Sequence, residues 1–203
     1  MTTVSDRPDL ADLRRDAATC TRCELYAPAT QTVFGEGPAS AWLMLVGEQP
    51  GDREDVEGAP FVGPAGRVLD TALRRAGIDR DEVYVTNAVK HFRFERSDDQ
   101  RGTRRIHKTP GVTHIRACRH WLDGELAAVR PGALATLGAV AAKAMLGSGF
   151  KITKERGRVL EWEGHLLVPT VHPSSILRGP PESREEALSA LVADLEVVAR
   201  LRP

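Results

Sequence analysis

Trp42-Leu43-Met44-Leu45-Val46 is an unbroken apolar run that stops at Gly47. A strand with one wet face would alternate; a strand apolar at every position is buried on both faces, as in the interior of a parallel α/β sheet. Gly47 to Asp70 follows, GEQPGDREDVEGAPFVGPAGRVLD, and Gly66 to Ala76 has helical periodicity, with Val68, Leu69, Ala72, Leu73 and Ala76 on one face and Gly77 placed to end it. The intervening segment is a strand-to-helix crossover. Such loops lie at the carboxyl ends of parallel strands, where ligands bind. This one gathers Gln49, the acids Glu48, Asp52, Glu54, Asp55 and Glu57, an aromatic Phe61, and Gly and Pro residues that let backbone approach a ligand.

The remaining chain repeats the strand–helix theme. Val83 to Thr86 reads as a second strand ending on Asn87, Ala133 to Leu137 as a third, and Val159 to Trp162 with Leu166 to Val168 as a pair joined across Glu163-Gly164. Asp9–Thr19, Gly111–Val129, Ala139–Leu146 and Glu182–Arg200 read as helices. At 203 residues the length suits one domain, 1–203. The alternation predicts a three-layer α/β/α fold with a central, mostly parallel sheet. Glu48 and Gln49, Asn87 and His172 then fall on one rim of that sheet. Asn87 can offer a donor and an acceptor to a planar base edge, or it can tie down its own turn.

Net charge is +0, with 28 basic and 28 acidic residues, so no overall field marks a polyanion or membrane partner. The distribution is uneven: Lys90 to Arg119 holds nine Lys or Arg against three acids. Without periodicity, that segment reads as a functional loop suited to a polyanion. No apolar run approaches the roughly 20 residues of a membrane span, and MTTVSDRPDL lacks the apolar core of a secretion signal, so the sequence predicts a cytoplasmic protein. Its three cysteines argue against a disulfide framework. Cys20-Thr-Arg-Cys23 is open to iron–sulfur, zinc, dithiol and simple packing readings.

Four motifs in order, Gly47-Glu-Gln-Pro-Gly51, Pro60-Phe-Val-Gly-Pro-Ala-Gly66, Thr86-Asn87 and His172-Pro-Ser-Ser175, together with the cysteines, resemble the uracil-DNA glycosylase superfamily, nearest its iron–sulfur family 4. Gln49 in the first motif and Arg104-Arg-Ile-His-Lys108 are similar to the UdgX branch. The resemblance implies a uracil-DNA glycosylase-like fold, and an enzyme that excises uracil from DNA and is then captured on C1′ of the abasic site through His107.

On that resemblance the substrate is a single-stranded or flipped-out uracil nucleotide, stacked on Phe61 and read at O4 and N3–H by Asn87. Gly47 and Gly51 supply backbone around it. His172 donates to the uracil O2, and Glu48 stabilises the cationic sugar and orients His107 or takes its proton. Gln49 and Asp52 complete the catalytic group. Arg104, Arg105 and Lys108 bias His107 towards its neutral, nucleophilic form. Phosphates are held by Lys90, Arg104, Arg105, Lys108, Ser174, Ser175 and Arg178. Cys20, Cys23 and Cys118 match three cluster ligands, and His91 stands where family 4 has a fourth cysteine. The implied cofactor is a [4Fe–4S] cluster on Cys20, Cys23, His91 and Cys118, tying segment 1–40 to the basic loop. The implied assembly is a monomer on DNA, away from membranes. Two other readings compete: a conventional turnover glycosylase in which His107 only contacts phosphate, and a non-catalytic DNA-damage binder or redox sensor.

Overall fold

The computed structural model describes residues 7–99 and 102–203; Arg101 of the basic segment and residues 1–6 lie outside the described residues. β1 (Leu43–Gly47) is buried at every position and pairs in parallel on both edges, with β2 (Val83–Asn87) and with β5 (Ala133–Leu137). β7 (His165–Thr170) continues parallel beside β5, and β6 (Leu160–Trp162) closes the edge antiparallel, giving the order β2-β1-β5-β7-β6. The two-faced burial expected of the apolar run follows from this central place. Leu43 and Leu45 face a core completed by α3 (Pro64–Arg75), α7 (Pro173–Arg178) and α8 (Arg184–Ala199). Met44 and Val46 face the opposite core, under α4 (Val112–Val129) and α5 (Ala139–Leu146), with α1 (Leu10–Ala17) packed on α4. The fold is three-layer α/β/α. No helix among the described residues is long and apolar enough to cross a membrane.

Two expectations about connectors are corrected. The crossover after β1 contains a helix, α2 (Asp52–Glu57), and the basic segment is an antiparallel ribbon of β3 (Phe94–Asp99) and β4 (Gly102–His107). β4 is exposed or half-buried at every position, so no apolar alternation announces it. The ribbon is held at its base by side chains. Phe92 and Phe94 stack with ring centroids 5.1 Å apart, the Arg105 guanidinium lies 5.5 and 5.1 Å from the two rings, and the same guanidinium is bound by Asp52 and Asp55 of α2.

Phe61 takes the left-handed conformation at φ 57°, which a bulky side chain adopts only where its surroundings impose it, at about 1–3 kcal/mol. α3 begins at Pro64, and a Cβ on Gly66 would collide with the Phe61 carbonyl. Gly66 is therefore what lets the Phe61 turn dock against the first turn of α3. Gly66→Ala should destabilise by ~3 kcal/mol, read as a melting temperature lower by roughly 6–12 °C; an unchanged midpoint would show that the turn relaxes freely.

Candidate active site

The sheet's carboxyl edge opens into a cavity of about 360 Å³ lined by Glu48, Gln49, Phe61, Asn87, His107 and His172, with Gly51, Glu54, Ala65, Thr109, Ser174 and Arg178 around them. Glu48 directly follows β1, Asn87 ends β2, and His172 lies just past β7. Parallel pairing thus delivers three of the expected residues to one rim. The backbone is stitched there as well, since Ala88 N–H donates to Gly47 O (2.9 Å) and Val89 N–H to Glu48 O (3.0 Å).

Phe61 and His172 lie with ring centroids 6.0 Å apart and planes 27° from parallel. Asn87 is buried, and its Oδ1 has no hydrogen-bond partner. A buried amide oxygen without a donor is an unmet acceptor that a planar ligand edge can satisfy. Gly47 has no room for a side chain, because the Asn87 amide and the Phe61 ring occupy the place of a Cβ. Gly51 caps α2 with its Cβ space filled by the Glu54 carboxylate, whose Oε1 accepts from Gly63 N–H at 2.8 Å. Glu54 was one acid among five in the sequence; only the structure singles it out as the anchor of the Phe61 loop.

Gln49 and His107 are joined across the cavity mouth. Gln49 Oε1 accepts from Arg93 N–H (3.1 Å), which fixes the amide's orientation. Its nitrogen then faces His107 Nε2 at 2.9 Å, Lys108 O at 3.0 Å and Arg93 O at 3.2 Å. With Gln49 donating, His107 is the Nδ1–H tautomer, and at the cavity mouth the Gln49 N–H engages the lone pair of its Nε2. Glu48 Oε1, 3.7 Å from that nitrogen, has no hydrogen bond of its own. Burial raises the Glu48 carboxyl above its ordinary pKa against the opposing pull of Arg178. Burial and then Arg178 lower His107. Neutral imidazole was expected from Arg104, Arg105 and Lys108, so the direction stands with a different cause.

His172 caps α7, and its Nδ1 accepts from Ser174 N–H (3.1 Å) and lies 2.8 Å from Ser174 Oγ. An accepting Nδ1 makes the ring the Nε2–H tautomer. Burial, followed by the charges of Arg178 and His107, takes its pKa down to about 4. At neutral pH His172 is therefore an uncharged donor. Capping and donation use opposite nitrogens of one ring.

Several expected DNA contacts and one catalytic residue are corrected. Lys90 is fully buried and its ammonium donates to Thr86 Oγ1, Asn87 O and Glu125, so it meets no phosphate. Arg105 is committed to α2. Asp52 turns its carboxylate to Arg105, away from the cavity. Lys108 pairs with Glu95 at 2.7 Å. Ser174 is engaged by His172 and by Arg178, whose Nη1 donates to its Oγ at 3.0 Å; the Ser175 hydroxyl donates to His172 O at 2.7 Å. Arg104 is exposed on the ribbon, and Arg178 stands at the cavity wall, where it is free to meet an anion.

The cysteine corner fits a cluster in donor chemistry but not in convergence. Cys23 and Cys118 meet as a thiol–thiol pair, in which the hydrogen bond from Cys118 takes Cys23 down to about 6 while Cys118 is pushed up. Cys20 Sγ accepts from Trp121 Nε1 at 3.2 Å. His91 Nε2 lies 2.9 Å from Thr32 Oγ1, and its Nδ1 is buried without a partner. Among the described residues no three such side chains meet as a metal site.

The Uracil DNA glycosylase superfamily profile matches residues 34–196. The chain is 38% identical over 161 residues to a type-4 uracil-DNA glycosylase of Thermotoga maritima, covering 78% of each protein. It is 36% identical over 180 residues to that of Sulfurisphaera tokodaii, covering 84% of this chain and 77% of the other, and 32% identical over 185 residues to that of Archaeoglobus fulgidus, covering 87% of each. With a rim of Glu48, Asn87 and His172 built on parallel strands inside the matched region, the chain belongs to the uracil DNA glycosylase superfamily.

Proposed function

We propose that this protein excises uracil from DNA and, in the manner of the UdgX branch, ends bound to C1′ of its product site through His107. The observation that carries the second half is the position of His107: Nε2 of a neutral imidazole at the mouth of the cavity, 3.7 Å from Glu48. The first half is supported by three relatives named as uracil-DNA glycosylases and by the unmet acceptor of Asn87.

A uracil in this cavity lies against Phe61 with its O4 and N3–H edge towards Asn87. Cytosine presents an amino donor where uracil has O4, so an Asn held in one orientation rejects it. As the C1′–N1 bond breaks, negative charge grows on O2 and positive charge on the sugar. The His172 Nε2–H meets the first without an energetic penalty for reorienting, and ionised Glu48 stabilises the second. Water at C1′ then gives an abasic site. His107 Nε2 at C1′ instead gives a carbon–nitrogen bond as uracil departs as its anion, and the resulting imidazolium of the half-exposed His107 loses its Nδ1 proton to water, which can in turn protonate the uracil. Gln49 has two N–H hydrogens and three acceptors, so releasing His107 leaves both hydrogens bonded to Arg93 O and Lys108 O. The nucleophile can leave Gln49 without stranding a buried donor.

Uracil-containing single-stranded DNA, mixed with the protein and boiled in SDS, should give a retarded protein–DNA band that His107→Ala abolishes while uracil release continues with turnover. Abasic product without a band would favour the conventional glycosylase, and intact DNA the non-catalytic binder. Adduct formation should be flat above pH 7 and fall on acidification with its inflection below about 6.5, the ordinary histidine value. The sign follows from the depressed His107, which reacts only when neutral; the raised Glu48 adds a second acid limb by losing its charge. A rate that rises on acidification excludes neutral His107 as the nucleophile.

Cys20, Cys23, His91 and Cys118 are the residues we assign to a [4Fe–4S] cluster, supported by the unpartnered, buried Nδ1 of His91 and by the capacity of imidazole to replace thiolate on iron. Held there, the cluster would cross-link the N-terminal segment to α4, away from the residues that line the cavity. His91→Ala should lower bound iron and acid-labile sulfide; unchanged content removes His91 from the ligand set.

A further inference from the structure

Lys90 and Glu125 form an ion pair at 2.6 Å with both side chains fully buried. Such a pair gives up the hydration of two charges, and a well-packed apolar pair is often as stable. Stability alone gives little reason for charge here. Its contacts point to the base pocket. The ammonium places its three hydrogens on Glu125 Oε2 (2.6 Å), Thr86 Oγ1 (2.6 Å) and Asn87 O (2.8 Å). Glu125 Oε1 in turn accepts from Gly35 N–H (2.8 Å) and Tyr84 O–H (3.1 Å), and the Thr86 hydroxyl lies 3.0 and 2.9 Å from its two oxygens. Lys90 therefore folds back over the turn it ends and grips the main chain of Asn87 from beneath, while Glu125 anchors that grip to α4 and β2.

We propose that the Lys90–Glu125 pair is a positioning device for Asn87, holding the Asn87 backbone so that its amide meets the uracil edge in one orientation. Neither side chain lines the cavity; both act through Asn87. The inference rests on the reading of Asn87 as the base-recognising residue. On the pocket side Asn87 makes no compensating bond from Oδ1, so beyond its ladder place opposite Gly47 its direction rests on the main-chain grip from below and the close packing of Gly47. An apolar residue at 90 could fill the same space, but it could not hold the Asn87 carbonyl.

The test is Lys90→Met/Glu125→Gln, which removes both charges together and leaves no buried charge unpaired. Three quantities are read: the melting temperature, the Kd for single-stranded DNA carrying a tetrahydrofuran abasic analogue, and the single-turnover rate of uracil excision at saturating protein. The expected result is a melting temperature within about 5 °C of wild type, abasic-DNA affinity within about twofold, and excision slower by roughly 30-fold. Adding Asn87→Ala should slow excision little further, because residues acting as one unit are non-additive. Wild-type excision by a double variant of normal stability overturns the proposal, as does a fully additive loss with Asn87→Ala. If Asn87→Ala alone excises at the wild-type rate, the reading of Asn87 has failed and not the positioning. Should the double variant melt far below wild type, the same quantities are read for both proteins at a temperature well below its midpoint, with the same expected and overturning results.

Discussion

Everything at the site depends on the pairing of β1 along both of its edges. Its neighbours run parallel to it, so the carboxyl ends of β1 and β2 finish level, Gly47 opposite Asn87, and β7 ends beside β5 on the same side. Backbone hydrogen bonds then place Glu48, Asn87 and His172 within one cavity before any of their side chains interact. The pairing continues past the formal strand end, where Val89 N–H holds the Glu48 carbonyl. This is the physical content of the rule that ligands bind at the carboxyl rim of such sheets: at the rim, residues distant in sequence are brought together with backbone precision and still face a cavity.

The cavity couples its ionisable groups through burial and one cation. Glu48, His107 and His172 are all shifted towards their uncharged forms by removal from water. Arg178 opposes this shift for the carboxylate and reinforces it for both imidazoles. One guanidinium thus favours the protonation states that the proposed chemistry needs: an ionised Glu48 beside a cationic sugar, a neutral donor at His172 and a neutral nucleophile at His107. It does so from the cavity wall, where it can also meet a phosphate.

What the sequence disclosed and what it hid follow from the range of the interactions. The apolar run at Leu43–Val46, the strand ending on Asn87 and the helical face of Leu69 and Leu73 are local periodic patterns, and they carry the fold. Asn87 and His172 were legible because each lies at or just past the end of a predicted strand, and Phe61 because it stands in the Pro60–Gly66 motif of the crossover. The β3–β4 ribbon was not, because its stability lies in Arg105 between two Phe rings and two Asp carboxylates of α2, partners some fifty residues apart in the chain. Lys90 was misread for a related reason. A lysine in a basic stretch looks solvated unless its counter-charge is known, and Glu125 is 35 residues away on another element.

In the proposed function the ribbon adds a nucleophile to the site without rebuilding it. His107 ends β4 and is held at the cavity by side-chain ties, the Gln49 amide at one end and the Arg105 latch on α2 at the other. None of these ties uses Asn87, Phe61 or His172. On that reading base recognition belongs to the sheet, where displacement would break backbone pairing, whereas delivery of His107 belongs to an attached hairpin held at the mouth by exchangeable side-chain hydrogen bonds. In the proposed reaction that separation sets the order of events. The rigid rim can engage the base and stabilise bond cleavage with His107 still held by Gln49, and the histidine need move only after the sugar has become electrophilic.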